Sequence, residues 1–285
     1  MKILIGFAMF FGVLMAWSQP STGPIWVRQG LPQANQLLVD EEENLILLDS
    51  EQAVIYRLLS AYEYDSMLFI GGRSNRLEGF VHPIKLSLQN RQALYVLDDA
   101  QARLVVLNPN LRIVQSTEYL RDQLTVESSL FPVSFAVGPL GELFFINRSD
   151  NRVVKINSFG EEELRFGGGD YGPGALYDPV GIEVDEQNFV YVSDTTEQLV
   201  QVYDLYGVHR FRLQPDLNFR WKEVSLFRPW LIFHGPDQIA VLNLVSNEFL
   251  KLPFDWPKPI IDVFLRGDYF YVLGPSKVSA FRINR

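Results

Sequence analysis

Apolar and polar positions alternate in short runs along most of the chain, and the runs recur at a nearly fixed spacing. ALYVLDD at 93–99, ELFFINR at 142–148, FVYVSDT at 189–195 and QIAVLNL at 238–244 share one form. Each has an apolar run, an Asp or Asn, a few mostly polar residues, and then a second apolar run. A fainter copy, LILLDS, occupies 45–50. The anchors Asp49, Asp98, Asn147, Asp194 and Asn243 are separated by 49, 49, 47 and 49 residues. A period of this length marks a repeat architecture whose unit is a small cluster of strands.

Each unit is expected to open with a proline, at Pro32, Pro83, Pro132, Pro179, Pro229 and Pro259. Proline fixes φ and biases the preceding residue towards extended backbone, which suits the start of a strand. A first strand follows, as in KLSLQ (85–89), SFAVG (134–138) and VGIEVD (180–185), and the second carries the anchor. Third strands are read at AVIYRLL (53–59), RLVVLN (103–108), RVVKIN (152–157), LVQVYD (199–204) and EFLKLPF (248–254). Fourth strands are MLFIGG (67–72), IVQSTE (113–118), ELRFGG (163–168) and HRFRL (209–213). Val, Ile, Leu, Phe and Tyr dominate these runs and turn residues separate them, so strands are expected rather than helices. Four antiparallel strands per unit, repeated radially, make a β-propeller, and six prolines make six blades. The fold class is therefore all-β, a six-bladed β-propeller. The interval from Pro229 to Pro259 is short, so the fifth blade is expected to lack its outer strand. The last blade has room for IIDVFL, YFYVLG and KVSAFRI, leaving IWVRQG (25–30) at the N-terminus to close the ring as its fourth strand.

The connections GGRSNRLEGFVHP (71–83) and GGGDYGPGALYDP (167–179) are equal in length, open with paired glycines and end in proline. With Asp178-Pro179-Val180-Gly181-Ile182, Val192-Ser193-Asp194 and Asp150-Asn151-Arg152-Val153, they resemble the NHL-repeat family of six-bladed propellers. The resemblance is good in blades three and four, fair in one and two, and weak in five and six. It implies a fold and leaves function open, because this family's members range from protein scaffolds to RNA binders to enzymes.

Composition narrows the setting. Lys2 followed by ILIGFAMFFGVLMAW (3–17) and Ala16-Trp17-Ser18 reads as a secretory signal peptide over 1–18, leaving one propeller domain over 19–285. The apolar run is shorter than the roughly 20 residues needed to span a bilayer, and no transmembrane segment is expected after cleavage. The chain has no cysteine, so it carries neither a disulfide nor a lipid-modified N-terminal Cys. A bacterial periplasmic or secreted location fits these features. The formal charge of −9, with no basic stripe, disfavours nucleic acid.

Candidate chemistry is sparse. The glycine-rich 167–174 lacks the Lys-Ser/Thr of a phosphate loop and reads as an inter-blade turn. Of His82, His209 and His234, only His234 is placed at a strand end facing the channel, and it stands alone. Propellers of the peptidyl-amidating lyase type resemble this chain in fold, and the resemblance implies metal-binding histidines just after the starting prolines. Those positions hold Ile84, Val133, Val180, Trp230 and Ile260, with Gln33 or Asn35 in blade one. Gluconolactonase-like propellers carry a Glu-Gly-Pro-x-Trp start whose Glu binds calcium; here Thr22-Gly23-Pro24-Ile25-Trp26 puts threonine in that place. No metal ligand and no cofactor is therefore expected, and there is no Gly-x-Ser-x-Gly elbow. The anchor carboxylates recur once per blade, where Asp and Asn bond nearby backbone amides, and are read as structural. The acidic turn Asp40–Glu43 binds a cation or faces water, with water favoured, and the arginines around Arg73, Arg76, Arg91 and Arg103 read as solvated surface.

The remaining candidate is QPDLNFRWKEVSLFRPW (214–230), rich in rings and arginine, residue types enriched at binding hot spots. Phe219, Arg220, Trp221, Phe227, Arg228, Trp230 and His234 are the candidate binding residues. The competing reading is that these rings cover the space left by the shortened fifth blade. The functional expectation is a non-enzymatic scaffold in the bacterial cell envelope with a protein or peptide partner. The alternatives are a metal-dependent hydrolase or lyase of the six-bladed class, and a carbohydrate or small-ligand binder.

Overall fold

The computed structural model describes residues 23–60, 64–74, 79–89, 93–118, 130–157, 160–169, 172–250, 252 and 254–283. The proposed leader, Arg76 and Arg91 lie outside these residues. Six four-stranded antiparallel sheets make up the described structure. Blade one is β2 to β5 (Gln36–Val39, Leu45–Asp49, Val54–Leu58, Met67–Gly71) and blade two is β6 to β9 (Pro83–Gln89, Ala93–Asp98, Arg103–Leu107, Ile113–Glu118). Blade three is β10 to β13 (Pro132–Val137, Leu143–Asn147, Arg152–Ile156, Glu162–Gly167), and blade four is β14 to β17 (Pro179–Val184, Phe189–Asp194, Leu199–Asp204, His209–Leu213). Blade five is β18 to β21 (Glu223–Phe227, Trp230–His234, Ile239–Asn243, Glu248–Leu250). Blade six combines β22 to β24 (Asp262–Arg266, Tyr269–Gly274, Lys277–Arg282) with β1 (Trp26–Gln29), in the order β1-β24-β23-β22. Trp26 lies opposite Ala280 and Gln29 opposite Lys277, so the two chain ends share one sheet.

The first strand of each blade is innermost, and these six strands touch one another in turn, with β2 meeting β22. They surround a central channel. Between neighbouring blades lie apolar layers. One joins Phe144, Ile146 and Val153 of blade three to Ile182, Val190 and Val192 of blade four. No α-helix occurs among the described residues, and none is long and apolar enough to cross a membrane.

The anchors explain the period. Asp98 accepts the backbone N–H groups of Val81 and His82, Asn147 that of Phe131, and Asp194 those of Tyr177 and Asp178. Asp98, Asn147 and Asp194 thus tie the end of a second strand to the chain arriving at the first strand of the same blade, whereas Asp49 accepts the N–H of Gln52 in the turn that follows it. That is a repeat-structural role, with backbone donors at the blade edge satisfied by a buried side chain. Gly167, with φ +73°, closes blade three beside Leu176; a Cβ there would lie 2.6 Å from Leu176 Cδ1.

Blade five departs from the expected register. Its first strand is β18, hidden in the aromatic connection, and Pro229 sits in the β18–β19 turn rather than at a strand start. Asn243 therefore ends the third strand, not the second, and its Oδ1 accepts the N–H groups of Val245 and Ser246 in the following turn. His234 ends the second strand rather than the first. The outer strand is present but only three residues long. Beyond it Phe254 and Trp256 pack on Phe281 and Phe270, covering the blade five–six junction that a longer strand would have covered.

Candidate functional site

In blades one to four, the first-strand residue paired with the position before the anchor is Gln36, Lys85, Ser134 and Gly181. Glu223 and Asp262 open the corresponding strands of blades five and six. The polar residues of this inner level converge. Lys85 Nζ donates to Glu223 Oε1 at 2.6 Å across 138 residues of sequence. His234, paired with Glu223 across β18 and β19, has Nε2 3.8 Å from Glu223 Oε2 and 3.8 Å from Asp262 Oδ1. Asp262 Oδ2 accepts the N–H of Leu37 at 2.7 Å, fastening blade six to blade one.

The electrostatics of this cluster are uneven. Burial disfavours charge on Lys85, but Glu223, Glu183 and Asp262 outweigh it and hold the ammonium above the usual lysine range. Burial also opposes ionisation of Glu223, yet Lys85 and then His234 keep its carboxyl well below the usual range. Asp262 is pushed up, first by burial and then by the charge of Glu223. Burial, with Glu223 and Asp262 adding to it, pushes Glu183 up to about 7 despite Lys85. Three carboxyl groups thus share one ammonium.

His234 is the singular member. Its side chain is 3% exposed, and neither ring nitrogen has a hydrogen-bond partner among the described residues. Buried polar atoms are ordinarily paired, so an orphaned imidazole aimed at two carboxylates needs an explanation. Ligand atoms of Glu223, His234 and Asp262 lie within 4.8 Å of one another. Donor atoms about 2.1 Å from one tetrahedral metal stand roughly 3.4 Å apart; the two spacings from His234 Nε2 exceed this by tenths of an ångström, and the two carboxylates lie within 4.8 Å of each other. One nitrogen and two carboxylate oxygens suit a borderline ion such as zinc and leave a coordination position open.

The seven candidate binding residues fall into three places. Trp221, 2% exposed, packs in the core 5.7 Å from Phe233, with Phe219 partly buried nearby. Arg220 donates to Thr195 O. Phe227, Arg228 and Trp230 line a cavity of about 360 Å³ with Val184, Asp185, Leu226 and Leu265, roughly 13 Å along β18 from Glu223. There Arg228 is gripped by Asp185 and the hydroxyl of Tyr191. His234 alone belongs to the inner cluster. It is not solitary, because Glu223 and Asp262 stand beside it; the missed ligands come from two other strands. The sequence signal that would have found them is a charged residue at the inward position of a first strand, where blades one, three and four carry Gln, Ser and Gly and only blade two shares the charge, as Lys85.

The other candidates behave as solvated or structural groups. Asp40 is buried and paired with Arg57, and its Oδ1 accepts the N–H groups of Glu42 and Asn44. Arg103 is buried against Asp98 and Gly79 O, whereas Arg73 binds Glu51 O at the surface. His82 Nδ1 pairs with Asp99 in an exposed turn.

The sequence matches no protein-family model and no curated protein. Its architecture has many solved counterparts at low identity. A virginiamycin B lyase from Staphylococcus aureus is 13% identical with a TM-score of 0.58, over 87% of this chain and 80% of that one. A gluconolactonase from Xanthomonas campestris is 12% identical with a TM-score of 0.63, over 89% and 88%. A chain of a mitotic checkpoint complex is 9% identical with a TM-score of 0.62, over 100% and 99%. Likeness at this identity is likeness of fold.

Proposed function

We propose that this protein is a metal-dependent enzyme of the hydrolase or lyase class, with its centre at Glu223, His234 and Asp262 in the propeller channel. The observation that carries the reading is the buried His234, whose ring nitrogens make no hydrogen bond while Nε2 stands 3.8 Å from each of two carboxylates. The shared architecture hosts a lyase and a gluconolactonase, so both reaction classes are compatible with the fold. A divalent ion held by these three side chains supplies Lewis-acid polarisation of a substrate oxygen, or a water of lowered pKa. Lys85 holds Glu223 by its other oxygen and so orients the carboxylate towards His234. Glu183, titrating at about 7, is able to give or take a proton near neutral pH. The apolar, lysine-led stretch 1–18 supports reading this activity as exported to a bacterial envelope, and a mature N-terminus near Gln19 is the corresponding check.

Metal analysis of untagged protein, with thermal-shift titration of zinc, manganese and calcium, tests the reading. A retained ion, or a rise in Tm that His234→Ala abolishes, supports it. No retained ion and no shift with any of the three sinks it.

The scaffold reading is favoured by a different observation. Met67, Phe69 and Val114 are 44%, 67% and 60% exposed on the outer strands β5 and β9 of neighbouring blades. Phe69 and Ile113, from the two blades, line one groove, which gives these exposed apolar side chains a common site suited to a protein partner. Cross-linking in envelope fractions is expected to yield one stoichiometric adduct that Phe69→Glu removes; monomer alone overturns this reading.

A further inference from the structure

We propose that the cavity beside Trp230, at the far end of β18 from the His234 cluster, is a binding site for a neutral sugar ring, with Trp230 as its platform, Arg228 as its hydrogen-bond donor and Glu186 as its acceptor. The site goes beyond the metal reading and does not depend on it.

The cavity, about 360 Å³, sits where the first strands of blades four, five and six end, beside Val184, Phe227 and Leu265. Its volume lies at the small end of ligand pockets. A two-residue turn, Arg228-Pro229, joins β18 to β19 and leaves Phe227 paired with Trp230. The turn therefore brings an indole and a guanidinium to one rim. Phe227 is held from the other side by Phe264, ring centroids 4.7 Å apart. The second strands of the other blades open with Leu45, Ala93, Leu143, Phe189 and Tyr269, so the repeat does not demand an indole at this position.

Arg228 is fixed before any ligand arrives. Its Nε donates to Asp185 Oδ2 at 2.5 Å and its Nη2 to the Tyr191 hydroxyl at 2.6 Å. The guanidinium carbon lies 6.0 Å from the centre of the Tyr191 ring. Nη1 has no partner among the described residues. Asp185 is fully occupied by the protein. Its Oδ1 accepts the N–H groups of Gln187 and Phe189, and its Oδ2 accepts Tyr191 and Arg228. Glu186 also lines the cavity, is exposed, and has no hydrogen-bond or ion-pair partner among the described residues. One donor and one acceptor thus stand open beside one ring.

These groups select the chemistry of the ligand. Asp185 balances the charge of Arg228 and Glu186 adds a negative charge, so a carboxylate or phosphate is repelled. A neutral ligand has to offer an oxygen to Nη1 and a hydroxyl hydrogen to Glu186. Neighbouring ring hydroxyls do both, because a hydroxyl donates and accepts. The C–H face of the same ring packs on the electron-rich face of Trp230. A flat apolar ligand would use the indole but leave Nη1 and Glu186 unmatched.

Saturation-transfer NMR titrations of untagged wild type, Trp230→Ala and Glu186→Gln with glucose, galactose and mannose, and with their three uronic acids, test this. At least one neutral sugar is expected to bind wild type, and its uronic acid to bind about tenfold more weakly. Trp230→Ala is expected to weaken the neutral sugar about tenfold. Glu186→Gln is expected to narrow the gap between the sugar and its acid. Treatment with EDTA and the His234→Ala variant are expected to leave sugar binding unchanged, whereas the metal reading is decided by ion retention, so each can fail without the other. Binding of none of the three sugars, tighter binding of the uronic acid, full affinity in Trp230→Ala, or binding that EDTA and His234→Ala both abolish overturns the proposal. Should Trp230→Ala melt below the assay temperature, Glu186→Gln decides: an unchanged ratio of sugar to uronic acid overturns it.

Discussion

Lys85 and Glu223 meet across the axis of the ring, Nζ to Oε1 at 2.6 Å, and so join the innermost strands of two opposite blades. The extensive strand contacts between blades otherwise join neighbours in the ring, which makes this pair a tie through the channel as well as part of its chemistry. A pair of this kind is worth less than its removal costs, because deleting one partner strands the other charge. In metal-free protein Lys85→Met is expected to lose about 2 kcal/mol, discounted from the fully buried case because both side chains keep some solvent contact. The double variant Lys85→Met, Glu223→Met is expected to recover most of that loss. Denaturant melts of wild type, Lys85→Met, Glu223→Met and the double variant check it; a double variant no more stable than Lys85→Met would show that the tie is not the source of the loss.

Trp221 and Trp230 are nine residues apart and looked equivalent as ring-bearing candidates, yet their surroundings separate them. Trp221 is 2% exposed and packs against Phe233, while Trp230 is half-buried at the cavity lined by Phe227 and Arg228. Trp221→Ala is expected to cost about 3–5 kcal/mol, the range for truncating a core aromatic. Trp230→Ala is expected to cost less than half as much. Thermal melts of the two variants decide it, and equal losses would place both rings in the core.

The blades were legible in the sequence because the signals that make them are local. Asp98, Asn147 and Asp194 each accept N–H groups only 16 or 17 residues upstream, so the constraint repeats wherever the unit does. Blade five was misread for the same reason. Pro229 sits in a hairpin turn, and the strand that opens the blade, EVSLF, is buried among rings that look like surface candidates. The channel cluster was illegible in a stronger sense. Lys85, Glu223, His234 and Asp262 lie on four strands of three blades and are adjacent only after the ring closes. A search for several histidines at one repeat position finds nothing, because a single histidine with two carboxylates does not repeat.

Stability should depend on pH through Glu183. Its carboxyl, pushed up to about 7 chiefly by burial, holds a proton in the folded state that an unfolded glutamate has already lost above pH ~4.5. Between those values the folded state binds more protons, so stability falls as pH rises. The full contribution is present in acid and is lost through pH 7, an amount of about 2 kcal/mol after allowing for partial solvation. Glu183→Gln, which cannot ionise, is expected to flatten the decline of Tm between pH 5 and pH 8 in metal-free protein. A variant whose Tm still falls as steeply as wild type would place the titration elsewhere, with Asp262 the next group to test because burial raises it too.

His234 sets stability against function at a single position. An imidazole with both nitrogens buried and unpartnered costs the folded state part of its desolvation penalty, about 1–3 kcal/mol for a polar group in this condition. Its neighbours in β19 are apolar and fully buried, Leu231, Ile232 and Phe233, so a leucine of similar bulk has a suitable setting. His234→Leu is therefore expected to raise the Tm of metal-free protein by about 2 °C. It is also expected to abolish the shift produced by zinc, because two carboxylates and a lysine then remain without the nitrogen ligand. A histidine kept for packing would give the opposite pattern, with a lower Tm and an unchanged response to metal. Paired thermal scans of wild type and His234→Leu, with and without zinc, separate the two, since stability and metal response move in opposite directions only if the imidazole is retained for the ion.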